Sequence, residues 1–154
     1  MVKKSNKHLF FFIVVISIII IDQITKFLIR SNLSIGEYIT LINKFFFIRH
    51  ITNTGAGFSI LENSNSLLIW ISLIIIGIIL FNYDKIIKDR WYIVSFSLII
   101  GGAIGNLIDR ILIGHVTDFI SFYIIFDYFP AFNLADTAIS IGAIILLISL
   151  FKKK

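Results

Sequence analysis

Four long apolar runs, a composition dominated by hydrophobic residues and the placement of the cations predict an all-α membrane protein, a bundle of four transmembrane helices in one integral membrane domain. Of 154 residues, 58% are hydrophobic and 15% charged, with a mean hydropathy of +0.97. That apolar share lies above the norm for globular proteins, and so few charges cannot cover a small soluble sphere. Lipid is the expected solvent. The absence of cysteine removes disulfides, thiolate nucleophiles and Cys-based zinc sites together. The net charge of +5 forms no extended basic face, so no nucleic-acid partner is expected.

The predicted spans are residues 9–29, 66–83, 91–108 and 134–151. A bilayer core needs about 20 helical residues, with a lower bound near 17, and the second run reaches that length only with Ser66, Asn82 and Tyr83 included. No run alternates with period two, which argues against a barrel. Three segments on one side of a four-span chain hold nine of the 14 basic residues: Lys3, Lys4 and Lys7; Lys85, Lys88 and Arg90; Lys152, Lys153 and Lys154. Lys and Arg mark cytoplasmic segments. Both termini and the loop 84–90 are therefore expected in the cytoplasm, and loops 30–65 and 109–133 outside. Three lysines before an apolar run also resemble a cleavable signal peptide. The run continues into Asp22-Gln23-Ile24-Thr25-Lys26 without a small-residue cleavage site, so the helix is expected to stay.

This topology gathers the out-of-place polar residues at one membrane face, where such groups are costly and are functional candidates. Each also has a plain structural reading. Asp22 and Lys26, one turn apart, can neutralise each other. Gly101 and Gly105 form a small-xxx-small face suited to close helix packing. Asn106, Asp109 and Arg110 share a face, and Asp109 with Arg110 can form an ion pair. Asn133 can cap the last helix with Asp136 three residues later, and Asp118 can be a solvated loop acid. Spacing alone leaves both the structural and the catalytic readings of Asp118 and Asp136 open.

Five blocks in order along the chain carry a resemblance: Asp22…Lys26; Asn53-Thr54-Gly55-Ala56-Gly57-Phe58-Ser59; Gly101-Gly102-Ala103-Ile104-Gly105-Asn106-Leu107-Ile108-Asp109-Arg110; Gly114-His115-Val116-Thr117-Asp118-Phe119; and Phe132-Asn133-Leu134-Ala135-Asp136. With them the chain resembles the lipoprotein signal peptidases, the type II signal peptidases of bacteria. The resemblance implies an aspartyl endopeptidase of the bacterial cell membrane. Such an enzyme removes the signal peptide from diacylglyceryl-modified prolipoproteins just before the lipidated cysteine. It implies Asp118 and Asp136 as the catalytic pair and Asn53, Asn106, Arg110, Asn133, Asp22 and Lys26 as substrate-binding or supporting positions, at the outer face. It further implies a small extracytoplasmic β-rich element, which the strand-like stretches Tyr38–Thr40 and Phe45–Ile51 place within Glu37–Phe58. The aromatic second outer loop (Phe122, Tyr123, Phe126, Tyr128, Phe129) suits a flap at the membrane interface.

Two carboxylates that share one proton can both activate water and protonate a leaving amine, because close like charges do not readily both ionise. No cofactor or metal is expected: there is no HExxH helix, and His8, His50 and His115 are scattered. The expected partners are the prolipoprotein and membrane lipid, with the chain acting as a monomer. A transporter would need charges continuing across the membrane, and no internal repeat of the kind such proteins often show is visible. A structural subunit would leave the Asn53 loop and Asp118 without a role.

Overall fold

The computed structural model of the chain describes residues 4–55, 61–124 and 127–152. Residues 56–59 of the Asn53–Ser59 block, Phe126, Lys3, Lys153 and Lys154 lie outside that description. The sole proline, Pro130, lies outside every helix, so no apolar run is broken by a missing backbone donor. Helix α1 spans Lys4–Asn32, α2 Asn65–Phe81, α3 Tyr83–Ile86, α4 Arg90–Leu112 and α5 Leu134–Lys152. Among the described residues, three stretches are long and apolar enough to cross a membrane, Asn6–Asn32, Arg90–Leu112 and Leu134–Lys152. Helix α2 is apolar but has 17 residues, about 26 Å at 1.5 Å per residue. It stops short of the predicted end at residue 83 because Asn82 turns the chain into α3.

Helix α4 is the centre of the bundle and packs against α1, α2 and α5. Its glycines make this possible. A Cβ on Gly101 would lie 2.8 Å from Cβ of Ile18 in α1, and one on Gly102 would collide with the Ala135 carbonyl oxygen of α5. Gly142 of α5 answers from the other side, where a Cβ would sit 2.7 Å from the Ser95 carbonyl oxygen. The Ser95 hydroxyl donates to the Gly142 carbonyl at 2.7 Å. The small-residue face is thus a packing device, as its spacing predicts, and it serves two neighbours rather than one. Toward the opposite end, Phe11, Val15, Ile79, Ile86, Ile93 and Ile100 form a buried cluster. Large apolar side chains on the outward faces, among them Ile13, Ile20, Trp70, Ile78 and Leu147, are exposed, an arrangement that favours lipid over water.

Four strands form one antiparallel sheet in the order β1 (Tyr38–Ile42), β2 (Phe46–Asn53), β3 (Val116–Ile124), β4 (Asp127–Tyr128). The first two match the strand-like stretches. Strands β3 and β4 fall in the region read from sequence as an aromatic flap, so the sheet joins the segment between α1 and α2 to the segment between α4 and α5. Helix α4 also continues four residues past its predicted end at Ile108, which makes Asp109 and Arg110 helical. Gly114, with φ of +81°, takes a left-handed conformation that other residues rarely adopt and lets the chain pass from α4 into β3 within three residues.

Candidate active site

The register of β2 with β3 sets Ile51 opposite Asp118 and Asn53 opposite Val116, beside a bulge between Ile48 and Ile51. Asn53 Nδ2 there donates to Asp118 Oδ2 at 2.9 Å. Asn53 Oδ1 accepts from the Gly55 amide at 2.9 Å, and Arg110 Nη2 donates to the Gly55 carbonyl at 2.9 Å. Arg110 therefore fixes the turn that aims Asn53.

Asn133 precedes α5 and caps it. Its Oδ1 accepts from the Asp136 amide at 2.9 Å, while Asp136 Oδ2 accepts from the Asn133 amide at 3.2 Å, the reciprocal pattern of a capping box. The capping reading of these residues is therefore realised, but it leaves other groups free. Asn133 Nδ2 donates to Asp118 Oδ1 at 2.7 Å and to Asn106 Oδ1 at 3.2 Å. Asn106 Nδ2 donates to Asp136 Oδ1 at 2.7 Å. One network thus joins Asp118 and Asp136 through Asn133 and Asn106. Both carboxyls line a cavity of about 610 Å³ that also touches Asn53, Asn106 and Arg110. Its remaining wall includes Ile51, Val116, Phe132 and Ile139, the mixed lining of a site for an amphiphilic ligand.

Asp118 is not a solvated loop acid; it is 1% exposed. Burial, reinforced by the nearby charge of Asp136, pushes its carboxyl up to about 7 from the usual carboxylate range. The hydrogen bonds from Asn53 and Asn133 and the charge of Lys26 oppose that rise without cancelling it. A carboxyl that holds its proton near neutral pH beside a second carboxyl is the arrangement that general acid–base hydrolysis requires.

Residues 14–152 match the family described as signal peptidase (SPase) II. The chain belongs to the signal peptidase II family, which is a family of peptidases. It is 40% identical over 151 residues to a lipoprotein signal peptidase of Nostoc punctiforme, covering 96% of this chain and 92% of that one. It is 38% identical over 144 residues to one of Listeria monocytogenes, covering 93% and 94%. Among solved structures, a bacterial membrane enzyme determined by the in meso method at 1.9 Å resolution superposes with a TM-score of 0.80 at 36% identity, covering 94% of each chain. Another at 2.3 Å gives 0.83 at 36% identity, with 92% and 87% covered.

In this signal peptidase II chain, all eight residues singled out in the sequence lie in or directly behind the cavity. Asp22 and Lys26 stand behind it, 2.8 Å apart and both 0% exposed. Asp109 does not serve Arg110 as an ion-pair partner. Its carboxylate meets Lys26 at 3.3 Å and Arg30 at 3.4 Å, and it accepts from Gln23 Nε2 at 3.2 Å and the Thr117 amide at 3.0 Å. Gln23, Arg30 and Thr117 are thus part of the surroundings but were not among the sequence candidates, and Asp109 was read from the sequence as an ion-pair partner of Arg110. The i, i+3 spacing of Asn106 and Asp109 held a signal for the latter.

Proposed function

We propose that Asp118 and Asp136 form the catalytic dyad of a signal peptidase that cleaves diacylglyceryl-modified prolipoproteins just before the lipidated cysteine. The observation that carries this reading is the bridge made by Asn133, bonded to both carboxyls at the wall of the cavity. Asp136 sits in the first turn of α5, where the helix dipole favours a negative charge, and acts as the base. It takes a proton from the attacking water while neutral Asp118 donates to the scissile carbonyl oxygen. As the tetrahedral intermediate collapses, Asp118 recovers its proton from the former carbonyl oxygen. Asp136 gives its own to the departing nitrogen, the C–N bond breaks, and the dyad returns to its starting state. Asn53, Asn106 and Asn133 hold the carboxyls in register. Arg110 Nε, buried and without a hydrogen-bond partner among the described residues, is available to a substrate carbonyl.

The remaining architecture is read in the same sense. The chain acts as a monomeric four-span membrane domain, with α2 as its short second span, both termini cytoplasmic and the cavity at the outer face. The diacyl chains approach laterally, along the apolar side of the cavity at Ile139 and Ile141. A reporter fused after Lys154 is expected to read cytoplasmic; an extracytoplasmic signal would refute the four-span topology.

The enzymatic test is incubation of the detergent-purified chain with a diacylated prolipoprotein and with its unacylated precursor. Cleavage of the first alone, giving a product that begins at the lipidated cysteine, is expected. Equal cleavage of both would contradict the assigned substrate. The working form keeps Asp118 protonated, so kcat is expected to fall as pH rises through about 7, a limb that a pH–rate profile locates directly. A profile flat from pH 6 to 9 would remove Asp118 from the acid role.

A further inference from the structure

The buried charges behind the dyad do more than neutralise one another. Lys26 Nζ lies 2.8 Å from Asp22 Oδ2 and 3.3 Å from Asp109 Oδ2. Each of these acids uses its carboxylate to hold one particular backbone amide. Asp22 Oδ1 accepts from Ala135 at 2.9 Å, and Asp109 Oδ2 accepts from Thr117 at 3.0 Å. Ala135 immediately precedes Asp136, and Thr117 immediately precedes Asp118. The third contact of Lys26 Nζ is Asn106 Oδ1 at 2.9 Å, and the same Asn106 amide donates to Asp136. Neutralising an ion pair requires none of these three attachments.

We propose that Lys26, clamped between Asp22 and Asp109, is a positioning residue that sets both the separation and the charge balance of the dyad. The two acids tether β3 and α5 to a common point, one residue upstream of each reacting carboxyl. The Lys26 ammonium polarises the Asn106 amide, which strengthens the bond that Asn106 donates to Asp136. Close packing supports the frame: a Cβ on Gly105 would fall 2.6 Å from Asp22 Oδ2, so the bare helix face admits the carboxylate. Gln23 Nε2 bonds Asp22, Asp109 and the Gly105 carbonyl, which locks the two acids together. The inference rests on the dyad reading above and extends it to residues that do not touch the cavity.

The charged groups around the dyad define the sign of the test. Helix α1 supplies Asp22, Lys26 and Arg30, α4 supplies Asp109 and Arg110, and the segment before α2 supplies Glu62. The Lys26 charge favours the Asp118 carboxylate. In the full-length protein in detergent, Lys26→Met is therefore expected to move the alkaline limb of kcat to higher pH, by up to about one unit. It should also lower kcat by about 100-fold with KM within about twofold, since misplaced reacting groups cost turnover rather than ground-state binding. Asp22→Asn removes a negative charge and is expected to move the limb the other way. Limbs superimposable on wild type, with losses confined to melting temperature or KM, would overturn the proposal. If Lys26→Met gives no folded protein, Asp22→Asn decides: a downward shift supports the frame and an unmoved limb overturns it. Asp118→Asn assayed alongside separates the two readings, because cleavage by that variant refutes the dyad itself. Its inactivity together with unmoved limbs refutes the frame alone.

Discussion

Replacing Asp118 or Asp136 by asparagine is expected to lower kcat by about 10³–10⁴-fold while leaving the protein folded and inserted. Asparagine has nearly the same shape but can neither take a proton from water nor return one to a leaving nitrogen. The two positions differ in what else they do. Asp136 Oδ2 closes the capping box with Asn133, so Asp136→Asn also weakens a helix cap, by about 1 kcal/mol. Asp118 accepts from Asn53 and Asn133, and its replacement leaves the α5 cap intact. Asp118→Asn is therefore the cleaner variant for the helix, costing only about 1 kcal/mol because its amide nitrogen cannot accept one of those two bonds. Groups that act as a unit are not additive in their losses, so the double variant should be no slower than the worse single one. Initial cleavage rates on a diacylated prolipoprotein measure all three. Near wild-type rate from either single variant would remove the dyad.

Replacing Gly102 by valine is expected to cost both stability and rate, for a different reason. The new Cβ would collide with the Ala135 carbonyl oxygen and lie 2.8 Å from Ile139 Cγ1, and β-branching leaves it little rotamer freedom to escape. Overpacking of this kind costs about 1–3 kcal/mol, and here the contact is with backbone, which yields less readily than a side-chain tip. Relief requires the first turn of α5 to move, and Asp136 moves with it. A displacement of about 1 Å at reacting groups costs roughly 100-fold in rate. Both the melting temperature in detergent and the cleavage rate should therefore drop. Gly77→Val is the control, since a Cβ there meets nothing within 4 Å and should change neither. If Gly102→Val behaves like Gly77→Val, α4 and α5 do not approach as closely as described.

Much of the helical part was legible because lipid-exposed helices need continuous apolar runs, and these are hard to mistake. The second was the least legible, because Phe81-Asn82-Tyr83 reads as one apolar end when Asn82 in fact turns the chain. The first hairpin was also readable from Tyr38–Thr40 and Phe45–Ile51. Strand β3 was not, because Val116-Thr117-Asp118-Phe119 are all buried and show no alternation between an apolar and a polar face. A strand covered on both sides reads only as an apolar run with polar interruptions, which suits a flap as well as a strand.

The site was legible to a different depth. The eight candidate positions were visible as polar residues with no soluble surface to occupy, and the resemblance assigned them roles. What their spacing could not decide was whether Asn133 and Asp136 form a cap or a site. The cap leaves room for both, because it uses Asn133 Oδ1 and Asp136 Oδ2 and leaves Asn133 Nδ2 and Asp136 Oδ1 for other partners. The attachment of Asp109 to Thr117 was equally hidden, since it depends on how sharply the chain turns at Gly114. The distribution of charge between the two carboxyls depends on burial and neighbours, which no linear pattern records.

Direct activation of water by the proposed dyad is tested by a single turnover in ¹⁸O-labelled water. Enzyme in excess over a diacylated prolipoprotein is quenched after one cleavage, and both the released signal peptide and the enzyme peptides containing Asp118 and Asp136 are weighed by mass spectrometry. One ¹⁸O atom is expected in the new C-terminal carboxylate of the signal peptide and none in either aspartate. Label in Asp118 or Asp136 after that turnover would show that a carboxylate attacked the substrate itself, and would contradict direct activation of water.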